Sequence, residues 1–473
     1  GYGYANTSTS SPVTPETLFF AGSTTKAHTA AAISLLVANN THYPHIQWNT
    51  PLHTFLPEFI LSDPIATTSL TLTDILSHRS GFPRHDMVLE QDISLAEAVD
   101  RLKYLPLTEP IRTTFQYCNL MYGVAAHLIE KVSNQTLYEF FKQNLWTPLG
   151  MHSTYLDPEP ALRDGRHVSE GYFFTRDTNE TRATAVAYSP LVRGAGNVLT
   201  SVSDYAKWIA ALLARAPPIS EDGYAALFGA HTILAPQVNP PFSAPDLYGL
   251  GWTLQSYKGV QILQHGGSQV GFGALVVIIP TLESGFAILG NEMIGTNLAS
   301  EILAFEIVDG LLGIKEEERF DWEEKIDSML PALLLSNKTL AGLYPDLPDK
   351  DSLLPHPLPL DAYSGRYTHP AYPTVNITSA CPNRDVLKNP EKWTGARLCA
   401  FLEIPSGSFS MDLALDLFHV SGAYWTLVSS SAGMDSGTRV EFRISAEGVV
   451  TEVGVEFDDM MQKKEEKIWL ARV

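Results

Sequence analysis

The stretch Phe19-Phe20-Ala21-Gly22-Ser23-Thr24-Thr25-Lys26, running on into Ala27 to Val37, limits the possible folds more than any other part of the chain. Ala27 to Val37 is rich in Ala and Leu, favours helix and is apolar nearly all round, so the helix has no polar face to offer water and belongs in an interior. Gly22 permits a sharp turn just before it. Ser23 then lies at the helix N-terminus, and Lys26, three residues on, lies one turn away on the same face. Backbone N–H groups left free at a helix start can hold a developing oxyanion. Desolvating an ammonium lowers its basicity, which lets a buried lysine act as a base. Taken alone, Ser-x-x-Lys is common, and its plain reading is a capping serine beside a lysine that snorkels outward.

Composition narrows the class. In 473 residues, 52 Asp and Glu outnumber 32 Lys and Arg, a net charge of −20, which speaks against nucleic acid or an anionic membrane as a partner. The longest apolar run, Ala30 to Ala38 with Ser34 inside it, is far short of the ~20 residues of a membrane span. Residues that are 45% hydrophobic and 18% charged describe a globular protein with room for two domains. The three cysteines lack zinc-site spacing. Cys381 and Cys399 can pair across a short loop, which leaves Cys118. Glycosylation sequons stand at Asn6, Asn39, Asn134, Asn179, Asn337 and Asn376, where chance would give about two. They argue for a secreted glycoprotein. No signal peptide precedes Gly1, so a leader has been removed or the N-terminus is incomplete.

Three regions follow along the chain. Residues 1–314 alternate helix-like apolar stretches with short strands. Residues 315–358 open with the charged run Lys315 to Arg319 and read as a linker around one or two short helices. Residues 359–473 show short alternating segments, among them Phe409 to Val420, Tyr424 to Val428, Val440 to Ile444 and Val449 to Phe457. That pattern predicts a small antiparallel β domain.

Other segments lift Ser23 and Lys26 above the plain reading. Phe115-Gln116-Tyr117-Cys118-Asn119 precedes a helical stretch from Leu120 to Val132, and the apolar Val260 to Leu263 leads into His265-Gly266-Gly267-Ser268 and then Gly271-Phe272-Gly273. In this order the segments resemble the motifs of the serine β-lactamase and penicillin-recognising superfamily. The likeness is to the branch of class C β-lactamases, D-aminopeptidases and family VIII esterases, whose second motif is Tyr-x-Asn and whose third is often His-x-Gly. Leu76 to Arg84, Pro148 to Met151, Ala195 to Ser201 and Tyr248 to Trp252 also look like this family. The resemblance covers roughly residues 1 to 313.

The resemblance implies an α/β sandwich, an antiparallel sheet flanked by helices with a mostly helical lobe, and then a lipocalin-like β-barrel that Ala362-Tyr363-Ser364-Gly365-Arg366-Tyr367 would open. Carried over by position, Ser23 is the acylated nucleophile, Lys26 its hydrogen-bonded neighbour and Tyr117 a base or proton shuttle. Asn119, His265, Gly267 and Ser268 are expected to bind substrate. The backbone N–H groups of Ser23 and Ser268 would form the oxyanion hole. Positive charge beside Tyr117 would favour its phenolate, and both Tyr117 and Lys26 stand as candidates for the base.

Three features depart from the family pattern. His265-Gly266-Gly267 replaces Lys-Thr-Gly, so no permanent charge awaits a substrate carboxylate. This tilts the expectation from β-lactams toward esters, amides or D-amino-acid derivatives. Cys118 inside Tyr-x-Asn reads as a small buried residue. Gly1 to Asn6 resemble the end of a second strand, so the relatives' N-terminal helix and strand are expected to be missing, leaving a sheet edge bare. His78, Arg84, His85 and Asp86 lie in one polar loop that turn hydrogen bonding explains, and Tyr122, Trp252 and Phe272 read as core before pocket. The expected activity is serine hydrolysis of carboxylesterase or acyltransferase type on a small ester, amide or peptide, without cofactor or metal. The alternatives are a D-amino-acid peptidase or amidase, a weak β-lactamase, and a catalytically silent scaffold. Oligomeric state is left open.

Overall fold

The computed structural model describes residues 1–175, 180–184, 189–334, 340–381, 395–404, 414–431 and 434–473. It divides into two compact units. The first is Gly1–Phe82, Ile93–Phe174 and Thr181–Glu323; the second is Pro83–Asp92, Thr175–Glu180 and Glu324–Val473.

A six-stranded antiparallel sheet organises the first unit. Its strands β1 (Thr232–Ala235), β2 (Asp246–Tyr248), β3 (Thr253–Tyr257), β4 (Val260–Gln269), β5 (Phe272–Ile279) and β6 (Ser284–Gly290) lie side by side in chain order. Every residue of β5 is buried, as a strand covered on both faces requires. On one side Phe242, Tyr257, Ile262, Val277 and Phe305 form a core with Trp322, whose ring stacks on Phe305 at 4.0 Å. Phe305 belongs to helix α4 (Met293–Leu311). Trp322, from the stretch read as a linker, is 2% exposed. It opens a helix spanning Trp322–Leu334.

Helix α1 (Thr25–Ala38) is buried at twelve of its fourteen residues, as its lack of a polar face demands. The residues around it come from helices α2 (Asn119–Ser133) and α3 (Val202–Leu213) and from the turn Lys142–Trp146, and include Trp146, Tyr205 and Trp208, whose rings surround His28. Just ahead of α1, Phe19–Phe20 pairs with Leu199–Thr200, and the Phe20 ring meets that of Phe272 on β5 at 5.4 Å. At the sheet's edge all seven residues of β6 are half-exposed. One stripe of α4, Leu303, Ile307 and Leu311, is open to solvent. No helix among the described residues is long and apolar enough to cross a membrane.

The second unit is built on a closed antiparallel barrel. Its strands are β7 (Gly365–Thr368), β8 (Val375–Thr378), β9 (Arg397–Leu402), β10 (Ala414–Ser421), β11 (Tyr424–Ser431), β12 (Met434–Ile444), β13 (Val450–Val455) and β14 (Ile468–Arg472). Each pairs with the next, and β14 closes on β7 with Tyr367 opposite Arg472, so the ring has no free edge. The rings of Tyr363, Trp425 and Phe442 pack together, and all three are buried. Cys381 and Cys399 are joined by a disulfide, while Cys118 is buried and free of one. The segment Pro83–Asp92 belongs to this unit: His85 Nδ1 and the Tyr372 hydroxyl are 2.7 Å apart, and Arg84 pairs with Asp86 at the surface.

Four of the six sequon asparagines are described. Asn39 and Asn134 are exposed at helix ends, whereas Asn6 and Asn376 are half-buried in strands. Asn376 Nδ2 donates to Glu403. Asn179 and Asn337, and the start of the expected strand at Phe409, lie outside the described residues.

Candidate active site

Ser23 sits in a single 3-10 turn, Gly22–Thr24, that runs straight into α1. The turn is pressed against β4. A Cβ on Gly22, whose φ is +51°, would lie 2.5 Å from the Ser268 nitrogen, and a Cβ on Gly267 would lie 2.0 Å from the Ala21 carbonyl oxygen. Only glycines allow this approach. It becomes possible because β3 stops pairing with β4 at Gln264, so from His265 onward that side of β4 borders the serine turn. The peptide groups of Ser23 and Ser268, the expected oxyanion donors, are thereby brought beside one another.

Lys26 is fully buried. Its Nζ donates to Ser23 Oγ at 3.1 Å, to Asn119 Oδ1 at 2.7 Å and to the Ala195 carbonyl at 2.9 Å. Three oxygens around one amine fix Lys26 to the serine and to Asn119, and leave it, with Tyr117, placed as a candidate for the base. Asn119 opens α2, and the Ala195 carbonyl comes from the Ala195–Ser201 stretch singled out above.

Lys26 lies 4.6 Å from the centre of the Tyr117 ring and 5.4 Å from that of Tyr122. Tyr117 is half-buried. Tyr122 is fully buried and donates to the Leu76 carbonyl at 2.6 Å. Burial, and after it the neighbouring Tyr117, pushes the Tyr122 hydroxyl well above its ordinary range. Tyr248 is likewise raised, chiefly by burial. Both phenols stay protonated at neutral pH.

His265 is 7% exposed. Its Nδ1 is 2.6 Å from the Gly266 carbonyl, which can only accept, so Nδ1 carries the hydrogen. Nε2 then accepts from the Tyr248 hydroxyl at 2.9 Å. Burial, then the charge of Lys26, lowers the imidazole to about 4 despite the Gly266 bond. The third motif therefore presents a neutral ring. Ser268, exposed at the end of the same strand, receives a hydrogen bond from Asn297 Nδ2 of α4 at 2.7 Å.

The structure thus gathers Ser23, Lys26, Asn119, Tyr117, His265, Gly267 and Ser268 in one place. Of the polar loop, His78 joins them: it is fully buried with its ring 4.3 Å from that of Tyr117. Arg84, His85 and Asp86 belong to the second unit. Trp252 and Phe272 are buried, Phe272 in a cluster with Leu18, Phe20 and Leu199. Sequence reasoning missed the Tyr248–His265 bond and the part of Asn297. The signal for Tyr248 was present in Tyr248 to Trp252, read only as a family likeness; for Asn297 there was none. No group of three or more His, Cys, Asp or Glu among the described residues could hold a metal ion.

Residues 1–304 match the model of the Beta-lactamase family. Over its whole length the chain is 35% identical to an unguisins hydrolase of Aspergillus campestris, of which it covers 86%. It is 34% identical to an unguisins hydrolase of Aspergillus violaceofuscus, of which it covers 85%. Penicillin-binding protein 4 of Amycolatopsis lactamdurans is 26% identical over 65% of this chain and 81% of its own length. Among solved structures, the octameric penicillin-binding protein homologue from Pyrococcus abyssi aligns with 100% of this chain and 92% of its own at a TM-score of 0.59 and 21% identity. At that identity the likeness concerns the fold.

Proposed function

The chain belongs to the Beta-lactamase family, and from that premise we propose that it is a serine hydrolase that forms an acyl-enzyme on Ser23. The observation that carries this reading is the Lys26 ammonium, which bonds Ser23 Oγ and Asn119 Oδ1 at once. A cation so placed orients the hydroxyl and stabilises the alkoxide that forms as its proton leaves.

We assign the part of proton acceptor to Tyr117, with Lys26 bonding Ser23 Oγ, Asn119 Oδ1 and the Ala195 carbonyl beside it. The ammonium against its ring favours negative charge on the phenol, and Tyr122 and Tyr248 are held protonated by burial. Ser23 Oγ attacks the acyl carbon, its proton passes to Tyr117, and the oxyanion falls between the N–H groups of Ser23 and Ser268. Tyr117 then returns the proton to the leaving group, and a water or another acceptor repeats the sequence on the acyl-enzyme. Asn119, with Oδ1 given to Lys26, meets substrate through Nδ2.

The neutral His265 shapes the substrate range. A third motif with no positive charge gives no electrostatic reward to a carboxylate beside the scissile bond, so we favour uncharged esters and amides as acyl donors. Two relatives that match the entire chain are unguisins hydrolases, which makes unguisins the first natural substrates to try. The disulfide and the exposed Asn39 and Asn134 support secretion.

The experiment is intact-mass spectrometry with a fluorophosphonate probe, run beside turnover of p-nitrophenyl esters, unguisins and a chromogenic cephalosporin. One adduct on Ser23, absent in Ser23→Ala, is expected, with esters or unguisins turned over faster than the cephalosporin. No adduct in a protein that melts cooperatively would move the reading to a silent scaffold.

A further inference from the structure

We propose that His78 is the positioning residue for Tyr117: it ties the backbone on both sides of that tyrosine and backs the tyrosine ring, and so fixes where the phenol oxygen stands relative to Ser23. The inference rests on the reading of Tyr117 as proton acceptor. The Gln116 N–H donates to the His78 carbonyl at 2.7 Å, and the Cys118 N–H donates to His78 Nδ1 at 3.1 Å. The two residues flanking Tyr117 are thus held by one residue, through its main chain on one side and its side chain on the other. The two rings lie 4.3 Å apart at an angle of 33°.

The imidazole has little freedom to be anywhere else. It is fully buried, with Phe115, Tyr122 and Tyr248 at 5.4, 5.3 and 5.0 Å around it. Accepting a backbone N–H at Nδ1 requires a lone pair there, so the ring is the neutral tautomer with its hydrogen on Nε2. A protonated ring would aim an N–H at the N–H of Cys118 and break the bond.

The loop is also built to hold His78 in a conformation it would not choose. Its φ is +58°, a left-handed value that side-chain-bearing residues adopt only when their surroundings over-determine it. The next residue supplies the restraint. The Arg79 N–H bonds the Asp74 carbonyl at 3.1 Å, and the Arg79 carbonyl accepts from the Arg112 N–H at 2.7 Å. Both guanidinium groups bond the buried Asp74 carboxylate, each with a contact of 2.7 Å. Filling a core would need only the ring. Reaching both flanks of Tyr117 needs this backbone conformation and an acceptor at Nδ1.

The test compares His78→Leu, which keeps bulk and loses the acceptor, with His78→Asn, which tolerates left-handed backbone and offers Oδ1 to the Cys118 N–H. The full-length chain is assayed for p-nitrophenyl ester turnover against pH, fluorophosphonate labelling at Ser23, and thermal unfolding. His78→Leu is expected to lower kcat about 10- to 100-fold, the scale of a misplaced catalytic group. KM should change little, and the pH midpoint of the rate should move. His78→Asn is expected to restore the midpoint and part of kcat. An unchanged kcat and midpoint in a folded His78→Leu overturns the proposal, as does an Asn variant no better than the Leu one. If His78→Leu does not fold, His78→Asn decides alone: a retained midpoint with reduced kcat supports positioning, and wild-type kcat despite the lost ring contact overturns it. Wild-type activity in Tyr117→Phe would instead remove the role of Tyr117, a failure of the underlying reading that the His78 variants do not imitate.

Discussion

Two residues of the chain carry consequences out of proportion to their size. Gly267 has the Ala21 carbonyl where a Cβ would be, at 2.0 Å, while a Cβ on Gly266 would meet nothing nearer than Ala274 O at 4.0 Å. Gly267→Ala must push the serine turn off β4 and separate the two oxyanion donors. We expect kcat to fall about 100-fold or more, as when such a donor is removed, and Gly266→Ala to cost far less. The measurement is single-turnover acylation of the two folded variants. His28 is the second case. It is fully buried among aromatic rings, its Nδ1 faces the Trp146 indole N–H at 3.3 Å, and its Nε2 has no partner among the described residues. Burial lowers it to about 3. Between that value and the unfolded 6.5 the unfolded chain binds the extra proton, so stability rises with pH across the window and is lost as pH falls through it. His28 and His265 each contribute a slope of up to about 1.4 kcal/mol per pH unit. Urea unfolding from pH 7 to pH 4 should show the loss, and His28→Leu should flatten it.

At the scale of elements, the most legible segment was α1, because an apolar pattern without a polar side admits one environment. The motif residues were legible as well, since Ser23, Lys26, Tyr117, Asn119 and His265 are read by type and order. What the chain did not announce depends on backbone conformation. Nothing in Ser77-His78-Arg79 tells that His78 takes φ +58° or that its two bonds reach residues 38 and 40 positions away. Short strands such as β8, only four residues long, and β9, which opens on Arg397, were equally silent. Within the stretch read as a linker around short helices, Trp322 follows the charges of Lys315 to Arg319 and gives no sign of its burial. Its ring stacks on Phe305 and touches Phe242, Tyr257 and Phe320. Trp322→Ala should therefore cost about 3–5 kcal/mol, the usual price of removing a large buried aromatic. A linker residue would cost next to nothing, so an equilibrium denaturation curve separates the two.

Over the whole molecule, two units solve the problem of sheet edges differently. The barrel closes on itself through β14 and β7, and a disulfide joins Cys381 to Cys399, the latter on β9. The sheet of the first unit does not close. Its last strand, β6, reads Ser-Gly-Phe-Ala-Ile-Leu-Gly, with no charge, no proline and no bulge in its pairing with β5, and it is half-exposed throughout. Those are the devices by which edges are kept from recruiting other strands. The protein's colloidal behaviour should accordingly be sensitive to this margin. Light scattering should climb with concentration under conditions where a dilute sample stays clear, and a single lysine placed there, Ala287→Lys, should delay the climb without touching the chemistry at Ser23. A formulator or crystallographer would meet β6 before meeting the active site.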